Sequence, residues 1–312
     1  MRILFFGSPE FAVPTLRALI DAGHTVVAVV TQPDRPRGRG QKITRGAVAA
    51  AADALGLPVL QPAKLADPGV ADAFAAGRAQ LGVVAAYGKI LPEWLLALPP
   101  GGMVNVHASL LPRYRGAAPV HRAVMAGETE TGVTIMRVVK ALDAGPMLAR
   151  ALVPIGPDDT SADLERAVGA VGATLLVQMV NRLAEGPVPE EAQDDSLATY
   201  AAKITRADSA VDWRHRAQAI HDQIRGLHPW PHASSMLAGQ RVILHRSSWV
   251  DGTHDDVPGH VLASGPAGID VVAGDGALVR LLTLQAEGGR AVTAAEFLAG
   301  RPLPAGAAFE GV

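Results

Sequence analysis

Arg2-Ile-Leu-Phe-Phe-Gly-Ser-Pro-Glu10, a helix-compatible stretch to Gly23, and then Thr25-Val-Val-Ala-Val-Val30 open the chain, and this pattern decides the fold. The apolar run after Arg2 ends at Gly7 and has no polar alternation, so it reads as a strand buried on both faces. Ser8 and Pro9 are residue types that start helices, and Pro14 delays or restarts that helix. Residues 25–30 are β-branched apart from Ala28, the composition of a second buried strand. Residues 81–86 and 103–107 repeat the theme, with helical patterns at 46–54, 67–76 and 92–98 filling the intervals. Short aliphatic strands alternating with helices predict an α/β domain with a doubly wound, mostly parallel sheet. Residues 132–139 and 147–155 extend it as a longer pair joined through a turn at Asp143, and Thr160 caps a helix over 161–184.

At 312 residues the chain suggests two domains. Its apolar fraction of 49 % and mean hydropathy of +0.20 suit a compact protein. Glycine, proline or charge breaks its apolar runs short of the roughly 18 to 20 residues of a membrane helix. No membrane span is expected. The short, singly charged opening lacks the apolar core of a signal peptide, so cytoplasm is the expected location. The sequence shows no obvious dimerisation seam, so monomer is the expected state. Cysteine is absent, which excludes disulfides and thiolate metal sites.

Net charge is -2, which by itself argues against a nucleic-acid protein, but the charge is unevenly placed. Between Gln32 and Gly46 lie Arg35, Arg37, Arg39, Lys42 and Arg45 against Asp34 alone. Residues 185–197 carry five acids, no base, Pro187 and Pro189, the composition of a solvated linker. Beyond it come a helical pattern at 216–226 and short strands at 241–249, 259–263, 268–273 and 277–284, parted by glycine turns. Such a string fits a small barrel. The expected division is therefore 1–184, a linker at 185–204, and 205–312. In the last segment, residues 205–249 hold six arginines against three aspartates, whereas 250–312 hold three arginines against eight acids. An anion-binding face belongs to the first half.

Residues 103–107 carry two polar groups that a buried strand does not need. Strand side chains alternate, so Asn105 and His107 share one face while Val104 and Val106 share the other. Ligands of open parallel sheets bind at the carboxyl ends of strands, where His107 sits. Asp143, in its turn, is the carboxylate expected to join them. A carboxylate beside an imidazole favours its charged form, which can donate to an oxyanion. Gly7-Ser8-Pro9 lacks the spacing of a dinucleotide or Walker loop and reads as a capped helix start. Half of the ten histidines fall between His215 and His245, at spacings that fit no metal motif, so no metal ligand is expected. Trp213 and Trp230 are expected in the core of the small domain.

Asn105-Val-His107, Ser109-Leu-Leu-Pro112, Arg115-Gly-Ala-Ala-Pro119 and Leu142-Asp-Ala-Gly145 together resemble the formyltransferases that use 10-formyltetrahydrofolate. The opening Phe6-Gly-Ser-Pro-Glu-Phe11, Thr31-Gln-Pro-Asp-Arg-Pro36, Ala86-Tyr-Gly-Lys-Ile-Leu91, Asp212-Trp213 and Pro229-Trp-Pro231 are similar to the branch acting on methionyl initiator tRNA, across essentially the whole chain. The resemblance implies a Rossmann-like formyltransferase fold followed by a small OB-like β-barrel, with Asn105, His107 and Asp143 catalytic. It implies 10-formyltetrahydrofolate as donor, with no metal and no nicotinamide. Ser109, Leu110, Leu111 and Pro112 would line the folate site, with Tyr87, Gly88, Ile90 and Leu91 shaping the pterin pocket. Arg35, Arg37, Arg39 and Lys42 would contact tRNA, Arg39 at the key position. The acidic sum of the second domain departs from the basic one common in that branch. A formyltransferase for a small amine or amino sugar nucleotide, a formyltetrahydrofolate hydrolase and a non-catalytic tRNA- or folate-binding module are the alternatives. The first would not need the basic loop, and the last would not need the triad.

Overall fold

The computed structural model describes residues 1–37, 42–304 and 306–311. The chain divides into two compact units. The first comprises Met1–Pro119, Glu130–Pro154 and Glu165–Ala201, and the second Val120–Thr129, Ile155–Leu164 and Ala202–Val312. Both units are thus discontinuous, and residues 120–129 and 155–164, expected in the first domain, belong to the second.

The first stretch runs β1 (Arg2–Gly7), a short 3-10 turn, α1 (Val13–Asp21) and β2 (Thr25–Val30). The restart at Pro14 is therefore real, and proline sits in the first turn of α1 where its missing N–H costs nothing. Next come β3 (Arg35–Arg37) and β4 (Lys42–Thr44), then α2 (Ala47–Ala54), β5 (Val59–Leu60), α3 (Val70–Ala76), β6 (Leu81–Ala85), α4 (Glu93–Leu96) and β7 (Met103–His107). Helix α3 starts three residues later than expected because Gly69 is left-handed, with φ at +79°. β8 (Arg115–Gly116), α5 (Pro119–Met125), β9 (Glu130–Arg137), β10 (Met147–Pro154), α6 (Ser161–Glu185) and β11 (Tyr200–Ala201) follow.

The main sheet has the order β10-β9-β7-β6-β1-β2-β5. β7, β6, β1, β2 and β5 are parallel, and β9 and β10 add an antiparallel pair. Phe6 and Leu4 share a core with Ala28, Val30, Phe74 and Tyr87. On α6, Gly172 stands where a Cβ would lie 2.9 Å from Val106 Cγ1 and 3.1 Å from Val133 Cγ2, so the helix rides directly on β7 and β9. Val106 thus spends its face on packing and leaves the opposite face of β7 to Asn105 and His107. Among the described residues α6 is also one helix long and apolar enough, by composition, to cross a membrane, which corrects the expectation that no segment reaches that length. Its stripe of Val168, Ala173, Leu176, Met179 and Val180 is buried within the protein.

Residues 186–201 do not behave as a solvated linker. Glu191 exchanges backbone hydrogen bonds with Met147 at 2.7 and 2.8 Å, and β11 pairs with β8. The acidic composition misled because its charges have partners: Glu190 binds Arg137, and Glu191 binds Arg150.

In the second unit, α7 (Ala217–Gly226) precedes β12 (Ala233–Leu237), β13 (Gln240–Val250), β14 (Val261–Gly265), β15 (Gly268–Val272), β16 (Leu278–Ala286), β17 (Val292–Thr293), α8 (Ala294–Gly300) and β18 (Phe309–Glu310). The strands form a curled antiparallel sheet, β14-β15-β16-β13-β12-β18 with β17 on β16, the half-barrel of an OB-like domain. β12, α5 and α8 are elements that the sequence reading lacked. Residues 155–164 join this unit through polar anchors. Ser161 donates to Gly226 O at 2.6 Å, and Arg225, buried and paired with Asp222 at 2.7 Å, donates to Asp159 O. Trp213 is a core residue as expected, its indole N–H on Ser235 Oγ at 2.9 Å. Trp230 is not: it is 52 % exposed, because it lies in the irregular stretch between α7 and β12 and not on the sheet face.

Gly172→Leu is expected to lower the unfolding free energy by about 1–3 kcal/mol through overpacking against Val106 and Val133. Urea denaturation of the variant checks it.

Candidate active site

His107 ends β7 and is 5 % exposed. Its Nε2 is 3.0 Å from Tyr114 O, and since a carbonyl only accepts, this nitrogen carries the proton. Its Nδ1 faces Asp143 Oδ2 at 3.8 Å, outside hydrogen-bond length but within ion-pair range. The same Oδ2 accepts the Gly116 N–H at 2.8 Å. Asn105, opposite Met136 on β9 and Val84 on β6, is half-buried, and its amide has no hydrogen-bond partner among the described residues. Two free N–H donors therefore stand on the His107 face of the strand.

Asp143 is held in a left-handed conformation, φ at +48°. Two features impose it. At Gly145 a Cβ would sit 1.9 Å from Arg137 O, so only glycine lets the turn fold back onto β9. The Gln193 amide donates to Asp143 O and Gly145 O, each at 2.8 Å, while its carbonyl accepts from Arg115 Nε and Nη2 at 3.0 and 2.7 Å. Arg115 is buried and also binds Asp195 at 2.7 Å. Sequence reasoning missed Gln193 because it lies in the acidic stretch read as linker.

The residues expected around a folate divide into two kinds. The Ser109 hydroxyl is buried and donates to Arg113 O at 2.7 Å, so it shapes its own loop; Thr134 ties that loop down through Ser109 O and Leu111 N. Leu110 stands against Gly132, Leu111 is buried with Met136 and Met147, and Pro112 is half-buried. Tyr87 is 1 % exposed, edge-on to Phe6 at 5.4 Å, and burial pushes its phenol pKa up. It is a core residue that carries the loop. Gly88 continues that loop with φ at +75°, Leu91 packs on the core, and Ile90 is 86 % exposed, an apolar side chain turned outward. Lys89 bonds Pro62 O and Ala63 O and steadies the loop.

The basic segment is a hairpin where a loop was expected. Arg35 pairs with Thr44, Pro36 with Ile43 and Arg37 with Lys42. Arg35 is exposed; Arg39 lies outside the described residues. Arg45 is taken up in structure: it holds Asp53 at 2.7 Å and Asp34 at 3.2 Å, and these carboxylates lower their pKa values mainly through hydrogen bonds from Arg45 and Gln61 respectively.

A parallel sheet with an imidazole, a carboxylate and free amide donors at its carboxyl edge, joined to an OB-like unit, has the outline of a two-domain α/β transferase. The formyl transferase family model matches residues 1–180, and the model of the formyl transferase C-terminal domain matches 203–302. The methionyl-tRNA formyltransferase of Trichlorobacter lovleyi is 48 % identical over 98 % of this chain and 96 % of its own. That of Paracoccus denitrificans is 48 % identical over 97 % and 99 %. Among solved structures, the N-formyltransferase of Helicobacter canadensis, in complex with folinic acid and dTDP-3-aminofucose, shares the fold at a TM-score of 0.65 and 17 % identity, covering 89 % of this chain and 98 % of its own. This chain belongs to the formyl transferase family, in its methionyl-tRNA formyltransferase branch.

Gln193→Ala strips two carbonyls and the buried Arg115 of a partner. The expected loss is about 1–3 kcal/mol of stability, measured by chemical denaturation, together with a fall in turnover as Asp143 is released.

Proposed function

We propose that this chain transfers the formyl group of 10-formyltetrahydrofolate to the α-amino group of methionine on initiator tRNA, giving N-formylmethionyl-tRNA for translation initiation and tetrahydrofolate. The observation that carries this reading is the 48 % identity, end to end, with methionyl-tRNA formyltransferases.

The chemistry follows from the residues. The amine lone pair forms a C–N bond to the formyl carbon, and the formyl oxygen becomes an oxyanion. The unpartnered Asn105 amide is positioned to donate to it, and the Nε2–H of His107 exchanges Tyr114 O for the oxyanion. Asp143 faces the other ring nitrogen and stabilises the imidazolium. The attacking nitrogen loses a proton that reaches N10 through Asp143 and water as the C–N10 bond breaks, so charge and protons balance without a covalent enzyme intermediate. The loops at Ser109–Pro112 and Tyr87–Leu91 line the folate, contributing backbone groups and the outward Ile90 in place of the committed Ser109 hydroxyl. Arg35, Arg37, Arg39 and Lys42 grip the acceptor end of the tRNA, where arginine suits phosphate through charge and paired N–H groups. The OB-like unit adds contacts from its arginine-rich first half. By function the chain, a cytoplasmic monomer that does not use a membrane, divides along its sequence into a catalytic domain over 1–184, a connection over 185–204 and a tRNA-contacting domain over 205–312, although 120–129 and 155–164 pack in the second unit and 185–201 in the first.

His107→Ala and Asp143→Asn are each expected to lower kcat by about 100- to 1,000-fold, the scale of an oxyanion donor. The assay follows label from 10-formyltetrahydrofolate to charged initiator tRNA, charged elongator tRNA and water. Release as formate, or no transfer to tRNA, refutes the acceptor assigned here. For Arg39→Ala, turnover on charged tRNA should fall while folate affinity stays unchanged; an effect confined to folate would misplace the hairpin.

A further inference from the structure

The second unit brings three histidines together that its sequence spacing does not announce. A ligand atom of each of His228, His232 and His245 lies within 4.8 Å of the others. The ring centroids are 5.2 Å apart for His228 and His232, and 4.3 Å for His232 and His245. We propose that His228, His232 and His245 form a binding site for one divalent late transition-metal ion, of the zinc type, that fastens the turn after α7 to strand β13.

Three observations support it independently. First, Nδ1 of His228 and Nδ1 of His232 are buried and have no hydrogen-bond partner among the described residues, an uncommon state for ring nitrogens that a bound cation relieves. Second, Nε2 of His245 is 2.8 Å from Gln285 Oε1 and donates to it, which leaves Nδ1 as the lone pair on offer. That is the usual outer support of a metal-bound imidazole, whose second nitrogen donates to an oxygen and fixes the tautomer. Third, the backbone aims the rings. His232 adopts a left-handed φ of +64°, its N–H held by Leu227 O at 3.0 Å. The β13 ladder is irregular on both sides of Arg246, beside His245, a kind of break that re-aims side chains. β12 and β13 pair antiparallel with Ala233 opposite Leu244, so the next position along the ladder sets His232 against His245.

Burial first, then the neighbouring His245 and His228, hold the His232 pKa down to about 4; burial also lowers that of His228. Metal binding uses the neutral imidazole. Zinc–nitrogen bonds of about 2.0–2.1 Å in a tetrahedron place ligand nitrogens roughly 3.3 Å apart. Side-chain rotation of the turn residues must close the remaining gap. Imidazole-only ligation selects zinc, copper, nickel or cobalt over magnesium and calcium, and three protein ligands leave a fourth position for water.

The test uses full-length, tag-free protein stripped with chelator. Titration with Zn2+ against a chromophoric competitor should show one equivalent bound at micromolar affinity or tighter, weakened at least 100-fold by His232→Ala or by His245→Phe. His254→Ala, outside the cluster, should bind as the parent does. Because a cluster variant can disturb the turn, Co2+ is added to the parent protein as well. Intense visible absorption of tetrahedral or five-coordinate Co2+, displaced by Zn2+, is expected. No stoichiometric binding by the parent protein, or affinity unchanged in folded cluster variants, overturns the proposal.

Discussion

The hydrogen bond from Gly116 N–H to Asp143 Oδ2 fixes the carboxylate on which the candidate active site depends. Asp143 lies at the apex of a turn, where a side chain would otherwise sample several rotamers. The bond to Gly116 gives it one orientation, 3.8 Å from the His107 ring. The turn itself is held by close backbone contact at Gly145 and by the Gln193 amide. Behind Gln193 stands Arg115, a buried cation that needs acceptors because an unpaired charge in a dry interior is costly. Gln193 and Asp195 supply them. The segment that composition marks as solvent-loving is therefore ordered by the requirement of one buried arginine.

The sheet provides the platform. β7 packs one face on α6, with Val106 and Val133 against Gly172, so the opposite face can carry an amide and an imidazole without loss of core. Buried polar groups in proteins are nearly always paired. His107 obeys the rule, the half-buried Asn105 keeps its amide free, and free donors beside the His107–Asp143 pair are what a site for developing negative charge requires. Rigid strands below and loops above divide the labour, with Tyr87 and Ser109 spent on holding loops in shape.

Much of this was legible in the residues. Apolar runs at 3–6, 25–30 and 81–86 reflect burial on both faces, a local property that composition reports directly. Asn105 and His107 stood out for the same reason, as polar residues on a strand where burial predicts none, and Asp143 as the carboxylate of the turn expected to join them. The β3–β4 hairpin, α5, β12 and α8 were not legible, since short elements take their stability from neighbours and carry weak patterns of their own. The exposure of Trp230 was equally hidden, because an aromatic residue in an irregular stretch has no periodicity to assign its face.

By itself, then, the sequence determined the α/β class, the strand bearing Asn105 and His107, the turn bearing Asp143 and the family. These are consequences of local hydrophobic pattern and of residue types that have little other reason to be where they stand. Only the tertiary structure decided that Gln193 braces the Asp143 turn, that residues 186–201 belong to the first unit, and that three histidines spaced 4 and 13 residues apart converge. Those outcomes depend on which distant segments meet in space, and antiparallel pairing and turn geometry, not spacing along the chain, bring them together.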